Sequence, residues 1–197
     1  ERFFDGQPAK AALDGNMGQA CADTRNLLAE QPATNGSVAL IGAGPGAEDL
    51  LTLRAHRLLQ NADVVLHDAH VPLELVRMSR RDAEIIPVGK RKGCHSKSQE
   101  QINRLMVEKT GEGLKVVRLK AGDPMIFGRA GEEIAALRSA DVAYEIVPGV
   151  TAALAGAAEA EIPLTLRGTA SSAVFTTGHD LNGKHLPDWA GLALQGS

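Results

Sequence analysis

The sequence predicts an α/β domain built on a mostly parallel sheet, and two observations carry that prediction. From Ser37 onward, short apolar runs alternate with stretches of helical spacing, and nearly every apolar run ends in Gly, Pro or Asp. The composition agrees: of 197 residues, 44% are hydrophobic and 23% charged, enough apolar content for a core, and 21 Lys+Arg against 24 Asp+Glu leave a net charge of −3.

In chain order, residues 1–35 are Ala-rich and weakly acidic, with Ala20, Thr24, Leu27 and Leu28 at helical spacing, so one or two helices are expected. Pro32, Asn35 and Gly36 then mark a linker over residues 31–36, before an abrupt change to a β pattern. The predicted strands are Val38–Ile41, Val64–Leu66, Glu84–Val88, Val116–Leu119 and Tyr144–Val147. The best-supported helix starts near Ser98: Ser98 and Gln101 make a capping box, Ile102, Leu105 and Met106 share one face, and Gly111 and Gly113 supply the stop. A further strand is expected over Ser172–Thr177, where a second sheet would begin.

Several function classes drop out. Aromatic residues make up 3% of the chain, too few for a base-stacking nucleic-acid reader. No apolar run approaches the roughly 18 residues of a membrane span. Cys21 and Cys94 stand apart without CxxC spacing, which argues against a disulfide scaffold or a zinc site and points to the cytoplasm. His56, His67, His70, His95, His179 and His185 lack paired metal spacing and read as surface or loop residues, so no metal is expected. The chain opens on Glu1-Arg2-Phe3-Phe4 without a signal pattern and stops at Gly196-Ser197 without a closing element, as expected of a fragment.

The first chemical signal is Gly42-Ala-Gly-Pro-Gly-Ala47, directly after a strand. It satisfies G-x-G-x-x-A, and Asp68 follows at 68 − 47 = 21 residues, where a dinucleotide site has its ribose-binding acid. An NAD-dependent oxidoreductase is one reading. Against it, Pro45 removes an N–H from the loop that would cradle a pyrophosphate, and a tight strand-to-helix turn needs the same glycines. The second signal is a set of strand-end loops, Leu66–His70, Gly89–His95, Lys120–Arg129 and Val147–Ala152. They carry Asp68, Lys90, Arg91, Asp123 and Arg129 to the sheet edge where open α/β folds bind ligands.

The ordered series Gly42–Gly46, Leu50–Arg54, Gly89-Lys-Arg91 with His95, Gln99–Asn103, Val117–Pro124, Ile126–Arg129, Gly131–Glu133, Val147–Ala152, Ile162–Thr165 and Thr177–His179 resembles the uroporphyrinogen-III C-methyltransferases of the tetrapyrrole methylase family. Residues 1–35 resemble the tail of the precorrin-2 dehydrogenase and ferrochelatase module that is fused to this methyltransferase in the siroheme synthases. The resemblance implies two α/β lobes with the cofactor between them: residues 36–150 a complete first lobe, residues 151–197 the start of a truncated second. It implies S-adenosylmethionine as methyl donor and a tetrapyrrole as substrate. Uroporphyrinogen III would become precorrin-2 by way of precorrin-1, on the route to siroheme and possibly cobalamin. NAD would serve only the absent upstream module, and the assembly would be a homodimer. A non-catalytic assembly fragment is the alternative in another class.

Residue by residue, the resemblance makes Asp68 and Lys90 the catalytic pair. Arg129 and Arg91 become partners for substrate carboxylates, and Pro45, Ala121, Gly122, Asp123, Ile126, Thr151 and Ala152 the cofactor site. A carboxylate at residue 68 suits the chemistry, because a methylated pyrrole must lose a proton. Arginine suits a substrate with eight carboxylates by bidentate pairing. The chain departs from the family at Ala121, His67 and His70, where Gly, Tyr and Leu or Val-like residues are usual. A methyl at residue 121 would crowd the cofactor if that residue required positive φ.

Overall fold

A computed structural model describes residues 6–29, 36–89, 97–177 and 191. The chain divides into two compact units, Glu1–Asn35 and Gly36–Ser197.

The first unit holds helices α1 (Gln7–Leu13) and α2 (Met17–Ala29). Pro8 starts α1, where its missing N–H costs nothing, and Gly15 turns the chain at φ 78°. Asn16 then caps α2, its Oδ1 accepting from Gln19 N at 3.1 Å.

The second unit is a five-stranded sheet in the order β3-β2-β4-β1-β5. Its strands are β1 (Ser37–Gly42), β2 (Val64–His67), β3 (Glu84–Pro87), β4 (Lys115–Lys120) and β5 (Ala143–Val147), and every pairing is parallel. All five match the predicted strands within a residue or two. Helices α3 (Leu53–Gln60) and α4 (Leu73–Arg77) pack on one face, and α5 (Gln99–Gly111) and α6 (Ala130–Ser139) on the other. Period-2 alternation sorts the side chains. Ala39, Ile41, Val65, Val117 and Leu119 meet Ala55, Leu59 and Leu75, while Val38, Leu40, Val64, Leu66 and Val116 meet Ile102, Met106, Ile134 and Leu137. Burial on both faces explains the near-continuous apolar runs.

The capping box forms as expected, with Gln101 N donating to Ser98 Oγ at 3.3 Å and Ser98 N to Gln101 Oε1 at 2.8 Å. One expected element is absent. Residues 172–177 are exposed and carry no strand, because a strand exists only through its ladder and no neighbour among the described residues offers one. The chain after β5 instead forms α7 (Ala152–Glu159) and a turn closed by the Leu166–Ala170 bridge. No helix among the described residues is long and apolar enough to cross a membrane.

Candidate functional site

The sheet order brings the loops after β1, β4 and β5 together at the C-terminal edge, since those strands are neighbours. Contact there is backbone to backbone. Gly44 and Gly122 form an isolated antiparallel bridge, with N–H···O distances of 3.1 and 2.8 Å. A Cβ on Gly42 would lie 2.5 Å from Gly149 N and 2.6 Å from Gly122 O, so only glycine permits the approach. Asp123 ties the third loop in: its Oδ1 accepts from Met125 N at 2.8 Å and its Oδ2 from Gly149 N at 3.0 Å. Thr151, buried, starts α7 beside Gly122. Pro45, Gly122, Asp123, Thr151 and Ala152 of the expected cofactor set therefore share one end of three adjacent strands. Ala121 is not among the residues with positive φ, whereas Gly122 is, at φ 66°, so the methyl at residue 121 introduces no backbone strain.

The same order overturns the NAD reading. β4 lies between β1 and β2, which puts Asp68 two strand spacings, roughly 10 Å, from the Gly42–Ala47 loop instead of beside it. Two of the loop's donors are also spent within the protein: Ala43 N donates to Lys120 O at 2.7 Å and Gly44 N to Gly122 O. A dinucleotide site needs the reverse, an acid beside the glycine loop and loop N–H groups free to meet the pyrophosphate.

Next to the glycine cluster, the ends of β2 and β4 enclose a cavity of about 360 Å³ that includes Asp68, Arg118, Lys120, Ala121, Ile126 and Arg129. Ala121 and Ile126 of the cofactor set thus line the same space as Asp68. Arg129 and Phe127 adopt left-handed backbone, at φ 53° and 52°, around Gly128, where a Cβ would meet Pro124 O at 2.5 Å. Non-glycine residues held this way carry strain and cluster at working sites. The Arg129 guanidinium is exposed and binds Glu132 with two hydrogen bonds of 2.8 Å. Lys90 and Arg91 lie outside the described residues, as does His95.

His67 departs from the surface or loop expectation. It is the last residue of β2, buried, with Nδ1 3.1 Å from the backbone oxygen of Asp68, and so leaves the carboxylate alone. The carboxylate is held from the other side, through residues to which the sequence analysis assigned no role. Arg118 Nη2 donates to Asp68 Oδ1, and Arg118 Nε donates to Glu133 Oε1 at 2.9 Å. Lys120 Nζ donates to Glu133 Oε2 at 2.9 Å. Arg118, Lys120 and Glu133 are all buried. A signal for them existed: two cations at alternate positions of an apolar central strand, and a glutamate on the Ala130, Ile134, Leu137 face of a helix, all require buried partners.

Burial first, and then the Arg118 guanidinium, push the Lys120 ammonium below its ordinary value, against the pull of Glu133 and Asp68. The unfolded chain keeps this proton up to 10.5 and the folded one releases it earlier, so in that window the folded protein binds fewer protons and stability rises with pH. Urea midpoints of the wild type are expected to climb relative to those of Lys120→Met as pH is raised toward 10.5. A constant gap would mean that the lysine stays charged throughout.

Comparison with known proteins agrees with this architecture. Residues 37–195 match the family described as Tetrapyrrole (Corrin/Porphyrin) Methylases. The chain is 48% identical to a siroheme synthase of Sodalis glossinidius and 50% identical to one of Azotobacter vinelandii, in each case over 98% of its own length. It spans about two fifths of those relatives, 41% and 42%. Among solved structures, it resembles the uroporphyrin-III C-methyltransferase of Thermus thermophilus complexed with S-adenosylhomocysteine, at 43% identity and a TM-score of 0.65, covering 78% of this chain and 64% of that one. The chain belongs to the tetrapyrrole (corrin/porphyrin) methylases.

Proposed function

We propose that this chain is the first lobe, and the beginning of the second, of a cytoplasmic, homodimeric uroporphyrinogen-III C-methyltransferase. Residues 1–35 are read as the tail of a precorrin-2 dehydrogenase and ferrochelatase module in a siroheme synthase. The observation that carries the reading is the adjacency of two features: a glycine-lined strand edge that includes Gly122 and Asp123, and a charged cavity containing Asp68 that is lined by Ala121 and Ile126 of the same loop after β4. One suits a cofactor that needs close backbone approach, and the other suits an anionic substrate and a proton acceptor.

When bound, S-adenosylmethionine supplies a sulfonium methyl, which passes to a pyrrole carbon as the carbon–sulfur bond breaks and S-adenosylhomocysteine is left. The residues of this chain do the rest. Gly42, Gly122 and Gly149 keep the loop backbones close, and Ile126 walls the space between the reactants. Asp68 Oδ2, which accepts no hydrogen bond among the described residues, takes the proton that the methylated pyrrole loses. Two rounds convert uroporphyrinogen III to precorrin-2. In this reading Lys90 is the second catalytic residue and Arg91 a partner for substrate carboxylates.

Incubating the full-length protein with uroporphyrinogen III and methyl-labelled S-adenosylmethionine tests the reading. Two labels per tetrapyrrole are expected, and an unlabelled tetrapyrrole would overturn it. Arg129→Ala is expected to raise the substrate KM by the equivalent of ~1.5 kcal/mol, the low end for a charge-assisted hydrogen bond because Glu132 competes for the guanidinium. S-adenosylhomocysteine affinity, measured by calorimetry, should stay at the wild-type value. Loss of cofactor binding with an unchanged KM would mean that the cleft is oriented the other way.

A further inference from the structure

Glu133 has no exposed surface, stands in the first turn of α6, and has both carboxylate oxygens engaged. Oε1 accepts from Arg118 Nε at 2.9 Å and from Gln99 Nε2 at 3.3 Å, and Oε2 accepts from Lys120 Nζ at 2.9 Å. All three nitrogens of the Arg118 guanidinium are engaged as well. Nη1 donates to Leu66 O at 3.4 Å and Leu119 O at 3.3 Å, which leaves Nη2 aimed at Asp68 Oδ1. A guanidinium pinned by a buried carboxylate on one edge and two strand carbonyls on another has one orientation. It occupies one oxygen of Asp68, at the wall of the cavity, and leaves the other without a hydrogen bond among the described residues.

From this chain of contacts we infer that Glu133 is a positioning residue for Asp68, acting through Arg118. Stability is a poor account of the arrangement. Three buried charges, Arg118, Lys120 and Glu133, incur desolvation costs that the attractions within the network roughly cancel, and apolar replacements of such networks are often neutral or stabilising. A planar fork with fixed donors does what a packed apolar cluster cannot, which is to set the direction of a carboxylate. Lys120 completes the charge balance, two cations against two carboxylates, so that Arg118 is not drawn away from Asp68.

The inference rests on the reading of Asp68 as proton acceptor, and a double-mutant cycle separates the two. Glu133→Gln keeps the volume but turns an amide donor toward a cation. In the full-length protein it is expected to lower kcat by ~10²-fold, the cost of misplacing a reacting group by about an ångström, with the uroporphyrinogen KM near wild type. In the Asp68→Asn background the same substitution should change kcat by no more than about twofold, because the group it positions is already disabled. Rates are taken per S-adenosylhomocysteine site counted by calorimetry, so unfolded protein does not register. Should Glu133→Gln give no binding-competent protein, Arg118→Lys, which keeps the charge and loses the fork, runs the same cycle with the same outcomes. An equal loss in both backgrounds overturns the positioning role alone. An unchanged kcat in Asp68→Asn itself overturns the proton-acceptor reading, and the positioning role falls with it.

Discussion

Asp68→Asn in the full-length protein is expected to lower turnover ~10²–10⁴-fold while S-adenosylhomocysteine binds as in the wild type. The substitution is nearly isosteric, and the amide oxygen can still accept from Arg118 Nη2, so the architecture around the ends of β2 and β4 is kept. Only the capacity to take a proton is lost. The glycine-lined edge is built from β1, β4 and β5, and Asp68 follows β2; in the cavity that Asp68 shares with Ala121 and Ile126 the isosteric amide keeps the wall in place, so cofactor affinity is expected to hold. Single-turnover kinetics with labelled cofactor would assign the loss to the chemical step. Turnover at the wild-type level would reduce Asp68 to a loop acid whose role is to neutralise Arg118.

Gly42→Ala is expected to destabilise the protein by at least ~3 kcal/mol, the upper end of the usual overpacking cost, and to weaken S-adenosylhomocysteine binding at the same time. The new methyl would stand 2.5 Å from Gly149 N and 2.6 Å from Gly122 O. Both are backbone atoms, so no side chain can swing away, and relief requires β1 to part from the loops after β4 and β5. Gly131→Ala is the contrast. Its Cβ meets nothing within 4 Å, and the residue lies in α6, so the substitution should stabilise by ~0.4–1 kcal/mol through the unfolded state. Urea midpoints for the two variants should move in opposite directions. Similar shifts would mean that the edge yields more easily than its backbone contacts imply.

Much of this fold could be read in one dimension. Val38–Ile41 and Val116–Leu119 announce strands because residues buried on both faces of a parallel sheet must be apolar in succession. Ser98 and Gln101 announce a helix start because a hydroxyl and an amide three residues apart satisfy each other's backbone donors. The expected strand over residues 172–177 shows where such reasoning stops. Its β-forming composition is real, but strand formation depends on a partner, and partnership is not a local property.

The candidate site divides along the same line. The identity of the strand-end loops, and the prominence of Asp68, Asp123 and Arg129 in them, follow from the sequence alone, because turn residues and charges at apolar-run ends are local signals. The position of β4 between β1 and β2 does not, since strand order depends on crossovers that no short window contains. That single fact separates Asp68 from the Gly42–Ala47 loop and turns an apparent dinucleotide pattern into a glycine contact with Gly122 and Gly149. Nor could local pattern assign Arg118. Its partners Asp68 and Glu133 lie 50 and 15 residues away, and a buried cation is tolerable only where tertiary packing brings carboxylates to it. Spacing and periodicity therefore determined the elements and the loops that bear chemistry, while the folded sheet decided which charges meet, because burial makes pairing obligatory and only the tertiary structure creates the burial.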